Sequence, residues 1–208
     1  WVLLGRVGAQ RTTHGVIESL QTYPALNVLE TTLRMDPAWP GHRPGQFAFA
    51  MSNPKEGPHP YTLASAWVPE DRRITFITKA LGDHTRRLPE RLQVGDRVTV
   101  EGPYGCFTFD DGRARQIWIG AGIGITPFIA RMKFLAQHEG QDARPIDLFH
   151  PTSDVDPQAI EKLSADSEAA GVALHLFIDK KDGRLTGERL RAMVPGWKDA
   201  SVWFCGPT

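Results

Sequence analysis

The sequence predicts a two-domain chain in which an antiparallel Greek-key β-barrel precedes a doubly wound α/β domain with a parallel sheet. Two observations carry this prediction. Residues 1–111 contain short β-branched runs of alternating polarity between Pro and Gly clusters, as in antiparallel strands. Residues 112–208 alternate apolar strand-like runs with amphipathic segments, which is typical of a parallel sheet covered by helices. Residues 110–113 are the best boundary between them.

The strands of the first half are identified by alternation, which buries one face of each strand. The runs are residues 28–33, 74–79 and 97–101, and turn-forming clusters at 36–45, 52–60 and 102–105 separate such runs. Leu88 and Leu92 are spaced for one face of a helix over residues 85–92. The first half is therefore mainly β structure with one helix.

The second half begins with a continuous apolar run at residues 116–120, as expected of a strand buried on both faces. A helix follows, for which Thr126 is the predicted cap and Pro127 the predicted first residue. Its inner face and its end are predicted from Phe128, Met132, Leu135 and Gly140. The remaining predicted strands are 146–149, 172–178 and 201–205, and the remaining helices run from Asp156-Pro157 to near Gly171 and over 187–193.

The composition is that of an ordinary globular chain: of 208 residues, 41% are hydrophobic and 23% are charged, and the formal net charge is zero. Zero net charge argues against a nucleic-acid-binding protein, which usually has a basic face. The two cysteines, Cys106 and Cys205, are too few for a four-thiolate iron–sulfur cluster. The seven histidines have no metal-ligand spacing, so no metal site is predicted.

A glycine-rich turn lies between the strand at 116–120 and the helix that follows it. It reads Gly120-Ala121-Gly122-Ile123-Gly124-Ile125-Thr126-Pro127. At this place a parallel sheet binds phosphates, because glycines allow close approach and the helix start offers free N–H groups. The turn predicts a dinucleotide site, and a tight turn without a ligand is the alternative. Ile125 stands where the common dinucleotide fingerprint has glycine, so this is a different variant.

Four further motifs occur in order with this turn. They are His59-Pro60-Tyr61-Thr62-Leu63-Ala64-Ser65, Lys79-Ala80-Leu81-Gly82-Asp83-His84-Thr85, Glu101-Gly102-Pro103-Tyr104-Gly105 and Phe204-Cys205-Gly206-Pro207. Together the five motifs resemble those of the ferredoxin–NADP reductase superfamily. The His-Pro-aromatic-Thr-Leu version resembles its ferric reductase and NADPH oxidase branch.

The resemblance implies roles for individual residues. Tyr61 would lie against the flavin ring, Thr62 near the ring nitrogen that accepts hydride, and Cys205 near the nicotinamide carbon that donates it. Thr62 and Cys205 are thus the candidate catalytic residues. The other candidate FAD-binding residues are His59, Pro60, Ile77, Thr78, Lys79, Gly82, His84 and Thr85. The other candidate nucleotide-binding residues are Gly120, Gly122, Ile123, Gly124, Thr126, Pro127, Ser153, Gly206 and Pro207.

From the residues alone, a structural alternative stays open for several of these positions. Tyr61 and Thr62 also suit ordinary strand residues, and His59 suits a solvated loop position, where many relatives have an arginine. Cys205 has apolar neighbours and also suits an inert buried thiol.

The implied activity is that of an FAD-dependent NAD(P)H oxidoreductase, with FAD in the barrel of residues 1–111 and NAD(P)H in the domain of residues 112–208. Hydride would pass to FAD, and single electrons would then pass to haem, ferric iron, oxygen or a partner protein. A stand-alone flavin or ferric reductase and a cofactor-free regulatory relative are the alternatives.

The ends of the chain predict a fragment of a longer protein. The chain starts at Trp1 rather than Met and stops at Thr208 directly after an apolar run. In the resembled branch a transmembrane haem domain precedes the flavin module. The expected location is therefore the cytoplasmic side of a membrane if such a domain is present, and otherwise the cytoplasm.

The choice between NADH and NADPH rests on the loop after Phe149. Ser153 and Asp154 lie there, and no arginine is present to bind a ribose phosphate. Asp154 favours NADH because a carboxylate can accept a hydrogen bond from the ribose 2′-OH, which NADPH lacks. The alternative is NADPH, with Lys180, Lys181 and Arg184 reaching the phosphate from the next loop.

Overall fold

The chain divides into two structural units, one that ends at Thr108 and one that begins at Phe109. The structure is a computed structural model that describes residues 11–80 and 82–207, without the side chains of Asp83 and His84. Within these ranges no helix is both long enough and apolar enough to cross a membrane.

The first unit is a six-stranded antiparallel sheet with the order β4-β3-β6-β1-β2-β5. A single bridge between Leu63 and Phe76 joins the segment after β4 to β5, so the two outer strands of that order meet and the sheet is barrel-like. This is the predicted barrel class. Its elements are β1 (Thr12–Tyr23), β2 (Val28–Met35), β3 (Phe47–Met51), β4 (His59–Thr62), β5 (Arg73–Lys79), α1 (Asp83–Arg91) and β6 (Arg97–Tyr104).

The core of this unit is formed by the inward-facing half of each strand. In β5, for example, Ile74, Phe76 and Thr78 are buried while the intervening residues are partly exposed. Leu88 of helix α1 is buried, and Leu92, which was predicted to be in the helix, is its C-cap and packs against the core. Removal of these apolar side chains from water is the main stabilisation of such a barrel.

Helix α1 starts two residues before the predicted position. Gly82 is its N-cap and has an extended backbone, and the Gly82 N–H donates to Thr85 Oγ1 at 3.1 Å. The Thr85 side chain thus bonds the N-cap amide from the third position of the helix. The helix therefore begins at Asp83 and not at Thr85.

The second unit is a parallel four-stranded sheet with the order β10-β7-β8-β9 and with helices between the strands, as predicted. The charged helix α4 follows β9 directly and was not predicted. The elements are β7 (Arg115–Gly120), α2 (Thr126–Gln137), β8 (Ile146–Thr152), α3 (Pro157–Ala169), β9 (Ala173–Ile178), α4 (Asp179–Asp182), α5 (Gly187–Met193) and β10 (Ala200–Cys205).

The two predicted helix caps have different outcomes. Asp156 caps α3, since its carboxylate accepts from the amides of Gln158 and Ala159. The prediction that Thr126 caps α2 was wrong. A 3₁₀ turn over Gly122–Ile125 precedes the helix, and the Thr126 hydroxyl donates back to the Ile123 carbonyl at 2.7 Å.

Candidate active site

Strand β4 presents the predicted flavin-site residues on two opposite sides of the sheet. Tyr61 pairs with the buried Ala48, whereas Thr62 pairs with the partly exposed Phe47. Because paired residues of antiparallel strands share a face, Tyr61 faces the barrel interior and Thr62 faces outward. His59 lies on the side of Tyr61, and Pro60 lies on the side of Thr62.

Tyr61 forms part of an apolar pocket. Its ring centroid lies 5.7 Å from that of Phe76, and the pocket wall also includes Thr78 and Leu88. Burial and the nearby Glu56 carboxylate raise the pKa of Tyr61 to about 12. The phenol is therefore neutral near pH 7, and its ring offers a flat apolar surface.

The Thr62 hydroxyl is available to a ligand. Thr62 is partly exposed, and within the described part of the chain its hydroxyl has no hydrogen-bond partner. It differs in this from Thr126, whose hydroxyl is buried and already bonded.

The end of β5 and the start of α1 form a polar edge beside this pocket. Thr78 faces the pocket, while Ile77 and Lys79 face the other side of β5. At Gly82 an added Cβ would meet nothing within 4 Å, so the space before the first amides of α1 is open. Those amides and the positive end of the helix suit a phosphate. The predicted His84 side chain lies outside the described residues.

These features of the first unit fit FAD. The partly exposed Tyr61 offers an aromatic ring, Thr62 offers an available hydroxyl on the other side of β4, and the helix start opens onto space where a pyrophosphate can approach. Thr85 contributes by fixing this helix start through Gly82.

The glycine turn of the second unit contains two kinds of glycine. Gly122 has φ +54, and an added Cβ there would meet nothing within 4 Å. An added Cβ on Gly120 would lie 2.9 Å from Ile125 Cα, and one on Gly124 would collide with the Cys205 backbone. Gly122 therefore faces open space, whereas Gly120 and Gly124 are required by packing within the protein.

The predicted residues around the turn differ in accessibility. Gly122 and Ile123 are partly exposed, whereas Gly124, Thr126 and Pro127 are buried. A ligand can therefore meet the turn chiefly at its first two residues and at the backbone. This arrangement fits a dinucleotide pyrophosphate, for which an open glycine turn before a helix is the usual cradle.

The carboxyl end of β10 adjoins this turn. The Ala121 amide donates to the Cys205 carbonyl at 2.9 Å, and a Cβ added to Gly206 would lie 2.6 Å from Ala121 Cβ. Burial raises the pKa of the Cys205 thiol, so the thiol is protonated near neutral pH. The structure thus brings Cys205, Gly206 and Pro207 to the same edge of the sheet as the turn.

The loop after β8 lies at this edge too. The exposed Ser153 donates its hydroxyl to the Asp154 carboxylate at 3.1 Å. Lys180 and Lys181 are exposed in α4, which follows the neighbouring strand β9.

One more residue of this edge, His150, is not among the site residues predicted from the sequence. The His-Pro dipeptide at the end of β8 is the sequence signal that marks it.

Comparison with known proteins agrees with this fold. Residues 15–108 match the model of an FAD-binding domain family. The flavohemoprotein of Deinococcus radiodurans is 27% identical over 188 residues, which cover 82% of this chain and 46% of that protein. The reductase component of propane 2-monooxygenase from Mycolicibacterium smegmatis is 28% identical over 125 residues, which cover 57% and 35%. The chain spans less than half the length of these curated relatives.

Solved structures share the two-unit architecture. The cytochrome P450 reductase GcoB of Amycolatopsis superposes with a TM-score of 0.76 at 22% identity, over 95% of this chain and 62% of that one. The flavohem-like FAD/NAD-binding domain of nitric oxide dioxygenase from Vibrio cholerae gives 0.77 at 19% identity, over 94% and 87%. At these identities the likeness establishes the fold.

An FAD-binding barrel followed by a parallel α/β unit with a glycine turn defines a flavin-dependent reductase module. Residues 15–108 of the chain match the FAD-binding domain family, and the two-unit fold is shared with solved reductase structures, as the five motifs predicted.

Proposed function

We propose that this chain takes hydride from NAD(P)H onto FAD and delivers single electrons to a haem. The observation that carries the proposal is the pairing, in one chain, of an FAD-binding domain with an open glycine turn on a parallel sheet. Bound FAD supplies the ability to accept a hydride and to release electrons singly. The flavohemoprotein relatives support a haem as acceptor.

The residues of the first unit bind and orient the flavin in this proposal. Tyr61 would hold the face of the flavin ring, and the Thr62 hydroxyl would donate a hydrogen bond to the ring nitrogen that accepts hydride. Such a donor stabilises negative charge as it develops, which lowers the barrier. His59, Lys79 and the amides that follow Gly82 hold the pyrophosphate, which is the group with most of the charge.

The residues of the second unit bind the nucleotide. The open face of Gly122 and Ile123 holds the pyrophosphate, and Ser153 holds the adenosine end. Cys205 stays a neutral thiol and excludes water beside the nicotinamide. Hydride transfer needs two flat rings held in close contact, so positioning is the main contribution of these residues.

The acceptor haem lies in a part of the full-length protein outside this chain or in a partner. Mouse NADPH oxidase 1 is 36% identical over 80 residues. The resemblance to the NADPH oxidase branch, in which a transmembrane haem domain precedes the flavin module, supports a membrane-associated arrangement with this module on the cytoplasmic side. A haem bound in an arrangement like that of a flavohemoprotein is the alternative.

An anaerobic titration tests the proposal. The purified chain is loaded with FAD and titrated separately with NADH and NADPH, while the oxidised-flavin absorbance is followed. We expect FAD to stay bound through gel filtration and the absorbance to bleach, with the faster nucleotide identifying the donor. Retained FAD without bleaching by either nucleotide would contradict the proposal.

A further inference from the structure

His150 lies at the carboxyl end of β8, beside the glycine turn. Its Nδ1 lies 2.6 Å from the carbonyl oxygen of Gly120. A carbonyl oxygen can only accept a hydrogen bond, so Nδ1 carries the proton. In the neutral ring Nε2 then has a lone pair and is an acceptor.

The register of the sheet explains why this hydrogen bond forms. The Gln116 amide donates to the Pro145 carbonyl, and β7 and β8 pair in parallel from there up to Ile119 and Phe149. Because the bonds of a parallel ladder repeat every second residue, the carbonyl of Gly120 falls opposite the amide position of residue 151. Residue 151 is a proline, which has no N–H, so the imidazole of His150 supplies the missing donor.

The other ring nitrogen of His150 is partly exposed. Within the described part of the chain Nε2 has no hydrogen-bond partner, and unlike Arg115 Nε and Arg131 Nε it is not fully buried. Burial lowers the pKa of His150, so the ring is neutral near pH 7. Nε2 is therefore a fixed acceptor at the carboxyl edge of the sheet.

We propose that His150 is a binding residue for the pyridine dinucleotide, with Nε2 accepting a hydrogen bond from a ribose hydroxyl. The inference rests on the proposed function. Dinucleotides bind in the crevice outside the carboxyl ends of parallel strands, which is where Nε2 lies. A ribose hydroxyl has a proton to donate, whereas an ionised pyrophosphate has none, so a neutral imidazole selects the ribose.

Two variants separate the two nitrogens. In His150→Asn the amide nitrogen stands in for Nδ1, so the bond to Gly120 is kept, while the acceptor at the position of Nε2 is lost because the shorter side chain places its oxygen elsewhere. His150→Ala removes both. Dissociation constants for NAD⁺ and NADP⁺ are measured by calorimetry on the FAD-loaded chain, because the oxidised nucleotides bind without reducing the flavin. Melting temperatures are measured in parallel.

We expect His150→Asn to weaken binding of the preferred nucleotide roughly fivefold, which is one net hydrogen bond, with an unchanged melting temperature. His150→Ala should weaken binding and also lower the melting temperature. If His150→Asn binds with wild-type affinity, the ring has only its structural role and the inference is overturned. If the wild-type chain binds neither nucleotide, the proposed function fails together with the inference, and the two failures are distinguishable.

Discussion

Gly124 and Cys205 are in contact at the level of the backbone, because a Cβ added to Gly124 would lie 2.1 Å from the Cys205 carbonyl oxygen. The same carbonyl accepts a hydrogen bond from the Ala121 amide at 2.9 Å. The glycine turn after β7 is thus held against the end of β10, which lies about eighty residues later in the sequence. This contact sets the position of Cys205 relative to the turn.

Substitution of Gly124 should therefore destabilise the second unit. We expect Gly124→Ala to lower the free energy of unfolding by about 2–3 kcal/mol, because the turn or β10 must move to admit the methyl group. Gly122→Ala is the control, since its Cβ meets open space and it adds only left-handed strain of about 1 kcal/mol. Urea unfolding measures both. Equal losses for the two variants would show that the close contact does not matter.

Thr62 is expected to affect chemistry more than binding. Thr62→Val keeps the shape of the side chain and removes its hydroxyl, and we expect flavin reduction to slow about tenfold, the effect of one hydrogen bond in the transition state. FAD affinity should change less than twofold. Stopped-flow reduction and FAD titration measure the two quantities, with Thr62→Ser as the variant that keeps the hydroxyl. Equal reduction rates in the Val and Ser variants would remove Thr62 from the mechanism.

Much of the fold could be predicted from the sequence, because β2, β5 and β6 have clear alternation and the second unit has apolar strands between amphipathic helices. The sequence did not locate β1, β3 or β4. Strand β1 carries several polar residues on its partly exposed side, and β4 has only four residues, one of them Pro60. Helix α4 contains no apolar residue that would reveal it.

The candidate site could be found from motifs, but the physical reasons for some residues depend on distant parts of the chain. Gly124 is predicted as a phosphate-approach glycine, yet its small size is required by Cys205. The tautomer of His150 is fixed because its Nδ1 donates to the Gly120 carbonyl. That carbonyl is left without a backbone donor because the strand register places Pro151 opposite Gly120. No local pattern encodes a pairing between strands.

The buried His42 should make stability depend on pH. Burial lowers the pKa of His42 from 6.5 to about 4, although the ring also bonds to the Ser65 carbonyl at 2.9 Å. Between these two values the unfolded chain binds a proton that the folded chain does not, so stability falls as the pH falls from 6.5 towards 4. The loss from this group is roughly 3 kcal/mol over that window.

Urea unfolding of the wild type and of His42→Gln at pH 7, 5.5 and 4.5 checks this expectation. The variant lacks the titrating ring, so the stability difference between the two proteins should shrink as the pH falls. A difference that stays constant from pH 7 to 4.5 would mean that His42 is not held neutral by the fold.

Asp111, which precedes β7, joins three segments of the second unit. Its Oδ2 accepts from Gln116 Nε2 at 2.8 Å, Ser201 Oγ at 2.7 Å and Trp203 Nε1 at 3.0 Å. Its Oδ1 pairs with Arg144 at 2.8 Å. One carboxylate thereby fixes the start of the unit to β7, to β10 and to the segment before β8.

The pKa of Asp111 reports how strongly this carboxylate is held. Burial acts to raise the pKa, but the hydrogen bonds from Ser201, the Arg113 amide, Trp203 and Gln116 outweigh it and keep the pKa well below its usual range. Because the pKa of Asp111 is lower in the folded than in the unfolded chain, the ionised carboxylate stabilises the fold. This stabilisation is complete above the unfolded-state pKa, near 3.8, and is lost as the pH falls below that value.

Removal of this carboxylate should destabilise the second unit more than a surface substitution does. We expect Asp111→Ala to cost about 3 kcal/mol at pH 7, because several donors and the Arg144 guanidinium lose their acceptor together. Asp111→Asn keeps one acceptor oxygen and should cost less.

Urea unfolding followed by tryptophan fluorescence at pH 7 and at pH 3 measures both variants. The penalty of Asp111→Ala should be smaller at pH 3, because the carboxyl of Asp111 is protonated in the unfolded chain at that pH. A penalty below about 1 kcal/mol at pH 7 would mean that water replaces the carboxylate without loss, and that the three segments hold together by packing alone.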